Sequence, residues 1–163
     1  MTEPTIQTLP QKKLMGKSMR MSLVENTTPI LWKSFMQNRK SVKNTVGTDL
    51  YSIQVYDDIL YFRNFNPQTE FTKYAMTEVS SFDTIPEGME SLTIDAGLYA
   101  VFIYKGLPQD FSKMANYIFS QWLPNSEYML DNRPHFEVLG NKYKPASEDS
   151  EEEVWIPIKN KRV

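Results

Sequence analysis

The stretch Leu98-Tyr-Ala-Val-Phe-Ile-Tyr104 decides how the rest of the chain is interpreted. Its aromatic and β-branched residues are typical of a strand, and Gly106 and Pro108 interrupt the pattern directly after it. Apolar residues then recur at helical spacing over about residues 109–122, and Pro124 follows them. The sequence here therefore predicts a strand followed by an amphipathic helix.

Two more strands are predicted after this helix. Residues 125–134 have the composition of a loop, and residues 135–140 and 154–159 alternate as strands do. Between those strands lies a polar stretch with an acidic run at 148–153, which we interpret as a solvated loop. The second half of the chain thus has the order strand–helix–strand–strand.

The first half repeats this order. A strand is predicted within residues 11–24, and a helix at about 28–43 has Pro29 in its first turn, where the missing N–H costs nothing. Strands follow at residues 50–56 and at Phe71–Val79, with Gly47 assigned to the turn before the first of them.

The spacing between the halves supports a duplication. The strand segment 53–56 lies 83 positions before segment 136–139, and the pair Leu9 and Leu92 keeps that spacing. We therefore predict a single α+β domain over residues 1–163.

The predicted fold has duplicated strand–helix–strand–strand units, with halves at about 8–84 and 85–163. Each helix covers one face of a three-stranded antiparallel sheet. Two helices on one side would leave a ligand groove between the halves, a common place for small molecules to bind.

Composition excludes several classes of function. The formal net charge is -2, so no basic surface suggests nucleic acid. The chain has no cysteine and one histidine, His135, and it lacks phosphate-binding glycine motifs. No apolar run is long enough for a signal peptide or a membrane span. We predict a cytoplasmic protein without metal, cofactor or membrane association.

Several segments together resemble the gyrase-inhibitor-like (GyrI-like) small-molecule-binding domains, also called AraC-type effector-binding domains. The resemblance is clear over about 85–159 and fainter before it. It is carried by Ile85-Pro-Glu-Gly-Met-Glu-Ser-Leu-Thr-Ile-Asp-Ala-Gly-Leu-Tyr-Ala-Val-Phe102, Lys105-Gly106, Trp122-Leu-Pro-Asn-Ser126, Phe136-Glu137 and Trp155-Ile-Pro-Ile-Lys159.

This resemblance implies two strand–helix–strand–strand units with an aromatic pocket between them that contains one acidic residue. It also implies lipophilic, often cationic ligands. Some relatives are attached to helix-turn-helix regulators, whereas others stand alone, and some of those resemble hydrolases of electrophilic compounds. Since the first predicted strand begins near residue 11, we expect a stand-alone form that does not bind DNA directly. Met76 stands where the family often has a small residue, a difference that bears on pocket size.

Glu137 is the main candidate for the acidic residue. We assign its strand neighbours Phe136 and Val138 to the helix-covered face, so alternation sends Glu137 to the bare face and the groove. A carboxylate in an apolar cleft needs a partner or a raised pKa. A cationic ligand would be such a partner, and the alternative is an exposed Glu on an edge strand.

The aromatic candidates for the pocket are Tyr56, Trp155, Tyr104 and Trp122. Each could stack on a ligand or attract a cation, and each could instead fill the core. Gln54 is the repeat counterpart of Glu137, which predicts a pocket with a charge on one wall only. His135 fits a solvated strand start better than a catalytic role.

Three functions remain open from the sequence. The first is a stand-alone protein that senses or sequesters a small hydrophobic or cationic molecule. The second is a cofactor-free hydrolase that uses Glu137 and Tyr56. The third is an inhibitor that binds a protein partner through the acidic run at 148–153.

Overall fold

A computed structural model of the chain describes residues 3–57, 66–144 and 146–161. Within these residues the chain forms nine strands, all paired antiparallel. The strands are β1 Thr5–Leu9, β2 Lys12–Met21, β3 Thr45–Val55, β4 Phe71–Val79, β5 Glu90–Ile94, β6 Gly97–Lys105, β7 Tyr128–Leu130, β8 His135–Leu139 and β9 Glu151–Asn160.

Two helical segments interrupt the strands. The first is α1, Thr28–Asn38, with Pro29 in its first turn as predicted and a 3₁₀ turn at Arg39–Ser41 after it. The second runs without a break from a 3₁₀ turn to a short final helix. Its parts are the turn Pro108–Asp110, α2 Phe111–Tyr117, a π-helical segment Ile118–Trp122 and α3 Leu123–Asn125.

The strand order is β1-β6-β9-β8-β3-β4-β2-β5, and β7 pairs with β9 beside this path. Only residues 10–11 connect β1 to β2, and only residues 95–96 connect β5 to β6. Such a link spans at most about 11 Å. The strands at the two ends of the order must therefore lie close together, and the sheet is curled.

The register shows the predicted repeat. Ile53 of β3 pairs with Phe136 of β8, and these two residues are 83 positions apart. A pseudo-twofold axis between the halves therefore passes through this pair. The pairing of Leu9 with Gly97 is matched by that of Leu92 with Leu14, again at an offset of 83. The duplicated α+β fold is confirmed.

The sheet has two chemically different faces. On the first, which we call the aromatic face, Tyr51, Ile53 and Phe136 are buried in one apolar cluster, and Trp155 packs against it. Met76 is fully buried in that cluster. The second face carries both helical segments, and we call it the helix face.

Packing and register identify the helix face. Leu31 and Phe35 of α1 pack in a cluster with Ala75 of β4, and Ala75 pairs with Ser52 of β3. Met114 and Ile118 from the second helical segment pack in a cluster with Val154 of β9, which pairs with Glu137 of β8. Directly paired residues point to the same side of a sheet. Both helical segments therefore lie on the side of Glu137.

Most predicted elements are present, and the differences have local causes. The sequence did not predict β1, a mostly exposed edge strand that lacks a buried face. It also did not predict β7, which lies inside the predicted loop 125–134, because three residues are too few to show alternation. Gly47 lies within β3, at a register shift, with φ of 69°. β9 begins at Glu151, so the end of the acidic run is a strand and not a solvated loop.

Candidate functional site

The candidate site lies on the helix face, where β3 and β8 meet between the two helical segments, and we call this region the groove. Ser52 pairs with Glu137, and Gln54 pairs with His135, so these four polar side chains point to the same side. The predicted orientation of β8 was wrong: Phe136 and Val138 pack on the aromatic face, and Glu137 is on the helix face. Alternation separates the two faces of this strand, but it does not tell which of them carries helices.

Glu137 lies in the floor of this site and is half-buried. Its Oε1 accepts a hydrogen bond from Nε2 of Gln54 at 3.2 Å. Burial raises the pKa of the Glu137 carboxyl, and the Lys73 ammonium and the Gln54 hydrogen bond oppose this shift. Among the described residues, no cationic group lies within 4.0 Å of this carboxylate.

Two further charges share the helix face with Glu137. Lys73 of β4 pairs with Gln54, and Glu152 of β9 lies two residues from Val154, the partner of Glu137. Burial lowers the pKa of Lys73. Burial, followed by the charge of Glu137, raises the pKa of Glu152 to about 7. The sequence predicted that Glu137 would be the one charged group of the pocket. This prediction is corrected, because the ionisable side chain of Lys73 lies beyond Gln54, on the side away from Glu137.

Aromatic rings stand beside the carboxylate. The Tyr56 ring lies 5.0 Å from the His135 ring and 5.5 Å from that of Phe71. Burial, and then the charge of Glu137, raises the pKa of Tyr56, whereas burial lowers the pKa of His135 to about 3. Both rings are therefore uncharged near pH 7. His135 is buried and also contacts Phe119 at 6.1 Å, so it is not a solvated strand start.

The structure places Trp155 away from Glu137. Its indole stacks on Phe136 at 5.3 Å on the aromatic face, and its Nε1 donates to Oε1 of Glu153 at 3.0 Å. The sheet separates Trp155 from the carboxylate, so the two do not line the same wall. A ligand-binding role for Trp155 stays a prediction and would concern the other face.

Tyr104 lies on the helix face of β6, under the second helical segment, and Trp122 is a residue of that segment. The Tyr104 hydroxyl donates to the Leu107 carbonyl, and its ring meets Phe111 edge-on at 5.1 Å. Trp122 meets Phe102 edge-on at 5.2 Å. These contacts anchor the helical segment, and a role in ligand binding for either residue stays a prediction.

Lys73 and Glu152 were missed by sequence reasoning, although a signal existed. Lys73 lies two residues from Phe71 and from Ala75, so it shares their face of the strand. In the same way, Glu152 shares a face with Val154 and Ile156. A charge in register with buried apolar residues indicates a charged side chain that faces the protein interior. The signal for Glu152 was hidden by its acidic neighbours.

Comparison with known protein families identifies the family of this domain. The family model of the GyrI-like small-molecule-binding domain matches residues 2–159. The chain belongs to this family. No functionally curated protein matches the GyrI-like chain significantly.

Solved structures share this GyrI-like fold at low sequence identity. SAV2435 bound to tetraphenylphosphonium superposes with a TM-score of 0.73 at 14% identity, covering 97% of this chain and 94% of that one. The C-terminal domain of EcmrR gives a TM-score of 0.67 at 16% identity, with 97% and 98% covered. A hydrolase from Listeria innocua gives 0.58 at 10% identity, with 96% and 92% covered.

No group of three or more His, Cys, Asp or Glu residues in the described ranges could hold a metal ion. In the same part of the chain, no helix combines the length and apolar character needed to cross a membrane.

Proposed function

We propose that this GyrI-like domain senses or sequesters lipophilic small molecules, with Glu137 as the counter-charge for a cationic group. One observation carries the proposal. The Glu137 carboxylate is desolvated, yet its hydrogen bond comes from a neutral amide, and no described cation lies within 4.0 Å of it.

Desolvation of a charged group costs free energy. A buried carboxylate without a cation either takes up a proton or destabilises the fold. A lipophilic cation in the groove would remove that cost. The rings of Tyr56, His135 and Phe119 would give it flat apolar contacts. The similar structure of SAV2435 with tetraphenylphosphonium supports this class of ligand and supplies a probe.

The proposal includes a cytoplasmic location. The absence of cysteine is consistent with it, because disulfides are the usual mark of secreted domains.

Isothermal titration with tetraphenylphosphonium tests the proposal. We expect the wild type to bind it and Glu137→Gln to bind it at least about tenfold more weakly, since charge-assisted contacts contribute 1.5 kcal/mol or more. Affinity should also rise with pH between about 6 and 8, because Glu152 loses its proton there and its negative charge attracts the cation.

Glu153→Gln is the matched control. It removes the same charge from the neighbouring strand, but Glu153 pairs with Val138 and lies on the aromatic face. A glutamine Oε1 there can still accept the hydrogen bond from Trp155. Equal losses in both variants would mean that only the overall charge matters, and unchanged binding by Glu137→Gln would refute the counter-charge role.

A second candidate function is hydrolysis of small electrophiles. Its specific support is a carboxyl with a raised pKa beside the phenol of Tyr56, an arrangement suited to a general base that takes a proton from water. Turnover of reactive esters or epoxides that is abolished by Glu137→Gln and weakened by Tyr56→Phe would support it. Binding without turnover across such a panel would leave the first function standing alone.

A further inference from the structure

Lys73 is the feature of the groove that the proposed function does not use. It lies on β4, half-buried, on the same face as Glu137. Among the described residues its ammonium has no hydrogen bond and no ion pair within 4.0 Å. A desolvated ammonium without a partner is costly, as a lone carboxylate is.

Two other lysines of the sheet have ammonium groups that are paired with neighbouring side chains, as expected for a structural role. Lys17 lies on the helix face of β2, and its ammonium donates to Oγ of Ser34 on α1 at 2.9 Å. Lys12, at the start of β2, forms an ion pair with Glu78 at 3.0 Å. Of these three lysines, Lys73 is the one for which the described structure shows no hydrogen bond and no ion pair to another side chain.

The register fixes where this ammonium stands relative to the carboxylates. Lys73 of β4 pairs with Gln54 of β3, whereas Glu137 of β8 pairs with Ser52, two residues earlier on β3. Their backbones are therefore two strand spacings apart across the sheet and two residues apart along it, about 12 Å in total. Glu152 lies one strand further on, in β9. The positive group is therefore on the α1 side of the groove and the negative groups are on the α2 side, with the uncharged amide of Gln54 between them.

Because Glu137 and Lys73 lie in the same groove without forming an ion pair, the charges of a ligand decide which of the two groups it can neutralise. A ligand with only a positive charge satisfies Glu137 but leaves Lys73 desolvated, and it is repelled by that ammonium. A ligand with a cation and an oxyanion satisfies both groups. Each charge-assisted contact then strengthens binding by about tenfold or more.

We propose that this groove selects amphoteric ligands, meaning lipophilic molecules that carry a cationic centre for Glu137 and, a few bonds away, an oxyanion for Lys73. This inference rests on the proposed function and narrows its ligand class. It assigns to Lys73 a direct contact with the ligand, which distinguishes it from the structural Lys17.

A matched pair of probes tests this selection. (3-Carboxypropyl)triphenylphosphonium and butyltriphenylphosphonium share the cation and the length of the side arm, and only the first ends in a carboxylate. By titration calorimetry at pH 7.5, the wild type should bind the carboxylated probe about tenfold more tightly or better. Lys73→Met should abolish that preference and strengthen binding of the butyl probe, whereas Lys73→Arg should retain the preference.

The control is Lys17→Met, which removes an ammonium from the same face and should leave the ratio of the two affinities unchanged. Circular dichroism melts show whether each variant is folded, and if Lys73→Met is not, Lys73→Gln takes its place. Equal binding of the two probes by the wild type, or the same change of their ratio in the Lys17 and Lys73 variants, would overturn the selection.

The tetraphenylphosphonium titration separates this result from the proposed function. If the wild type binds tetraphenylphosphonium but shows no preference for the carboxylated probe, the amphoteric selection fails and the proposed function stands. If the wild type binds none of the three phosphonium compounds, the proposed function fails as well.

Discussion

The two faces of the sheet at the pseudo-twofold axis are built from alternate residues of the same strands, and they differ in almost every physical respect. On the aromatic face, Phe136 is fully buried, stacks on Trp155 at 5.3 Å and meets Tyr99 edge-on at 5.4 Å. One residue further along, Glu137 points to the helix face, and within the described ranges the Gln54 amide is its one side-chain hydrogen-bond partner.

This contrast shows how a small domain can hold desolvated charges without losing its fold. Close-packed aromatic contacts supply stability on one side. The desolvated charges on the other side cost stability, and a ligand can recover that cost by binding. Since the two roles alternate along one strand, neighbouring substitutions should have opposite effects on the free energy of unfolding.

Phe136→Ala should have the largest effect. Truncation of a fully buried aromatic side chain typically lowers the free energy of unfolding by about 3–5 kcal/mol. Urea denaturation followed by tryptophan fluorescence measures it, with Phe119→Ala, a partly buried residue of the helix face, as the comparison. If the two substitutions cost the same, the aromatic face does not carry the extra stability that we assign to it.

The pH dependence of stability should report Glu152. Its pKa is about 7 in the folded protein against an ordinary 4.5, so the folded state holds its proton more tightly than the unfolded chain. Stability due to this group therefore falls as pH rises from about 4.5 to 7, and above that range the penalty is complete.

Glu152→Gln should remove this slope. Relative to the wild type, the variant should gain on the order of 1–2 kcal/mol between pH 5 and pH 8, allowing for partial solvent screening. Urea midpoints at several pH values measure the gain. Parallel pH profiles of the two proteins would show that Glu152 is solvated in the groove.

Glu137→Gln should have the smallest effect on stability, and its sign matters most. We expect a gain of about 1 kcal/mol at pH 7, because a neutral amide costs less to desolvate than a carboxylate. The same urea titration measures it. If the substitution lowers the free energy of unfolding by more than about 1 kcal/mol, Glu137 stabilises the fold. The proposed contrast between a stabilising aromatic face and a destabilising helix face would then be wrong.

Much of the fold could be predicted because its signals are local. The strand Phe71–Val79 was predicted with the bounds that the structure shows, and the 83-residue offset appears directly in the pairing of Ile53 with Phe136. Strand alternation and helical periodicity depend on neighbouring residues, so one sequence is enough to find them.

The site was less predictable, because it depends on which elements pack together. One face of β8 packs in the aromatic cluster, and the other lies on the side of the helical segments. Alternation alone therefore could not tell to which of these two faces Glu137 points. Lys73 comes near it only through the pairing of β4 with β3 and of β3 with β8. Such long-range register is set by the whole sheet and is not visible in either strand alone.

The short links between β1 and β2 and between β5 and β6 have a consequence for assembly. Each half gives its first strand to the other half, since β1 pairs with β6 and β5 with β2. Two identical copies of an ancestral half could have exchanged first strands in the same way and formed this sheet as a homodimer. In the single chain, β2 of the first half cannot pair with β5 until the second half is synthesised, so the protein should fold late and unfold as one cooperative unit.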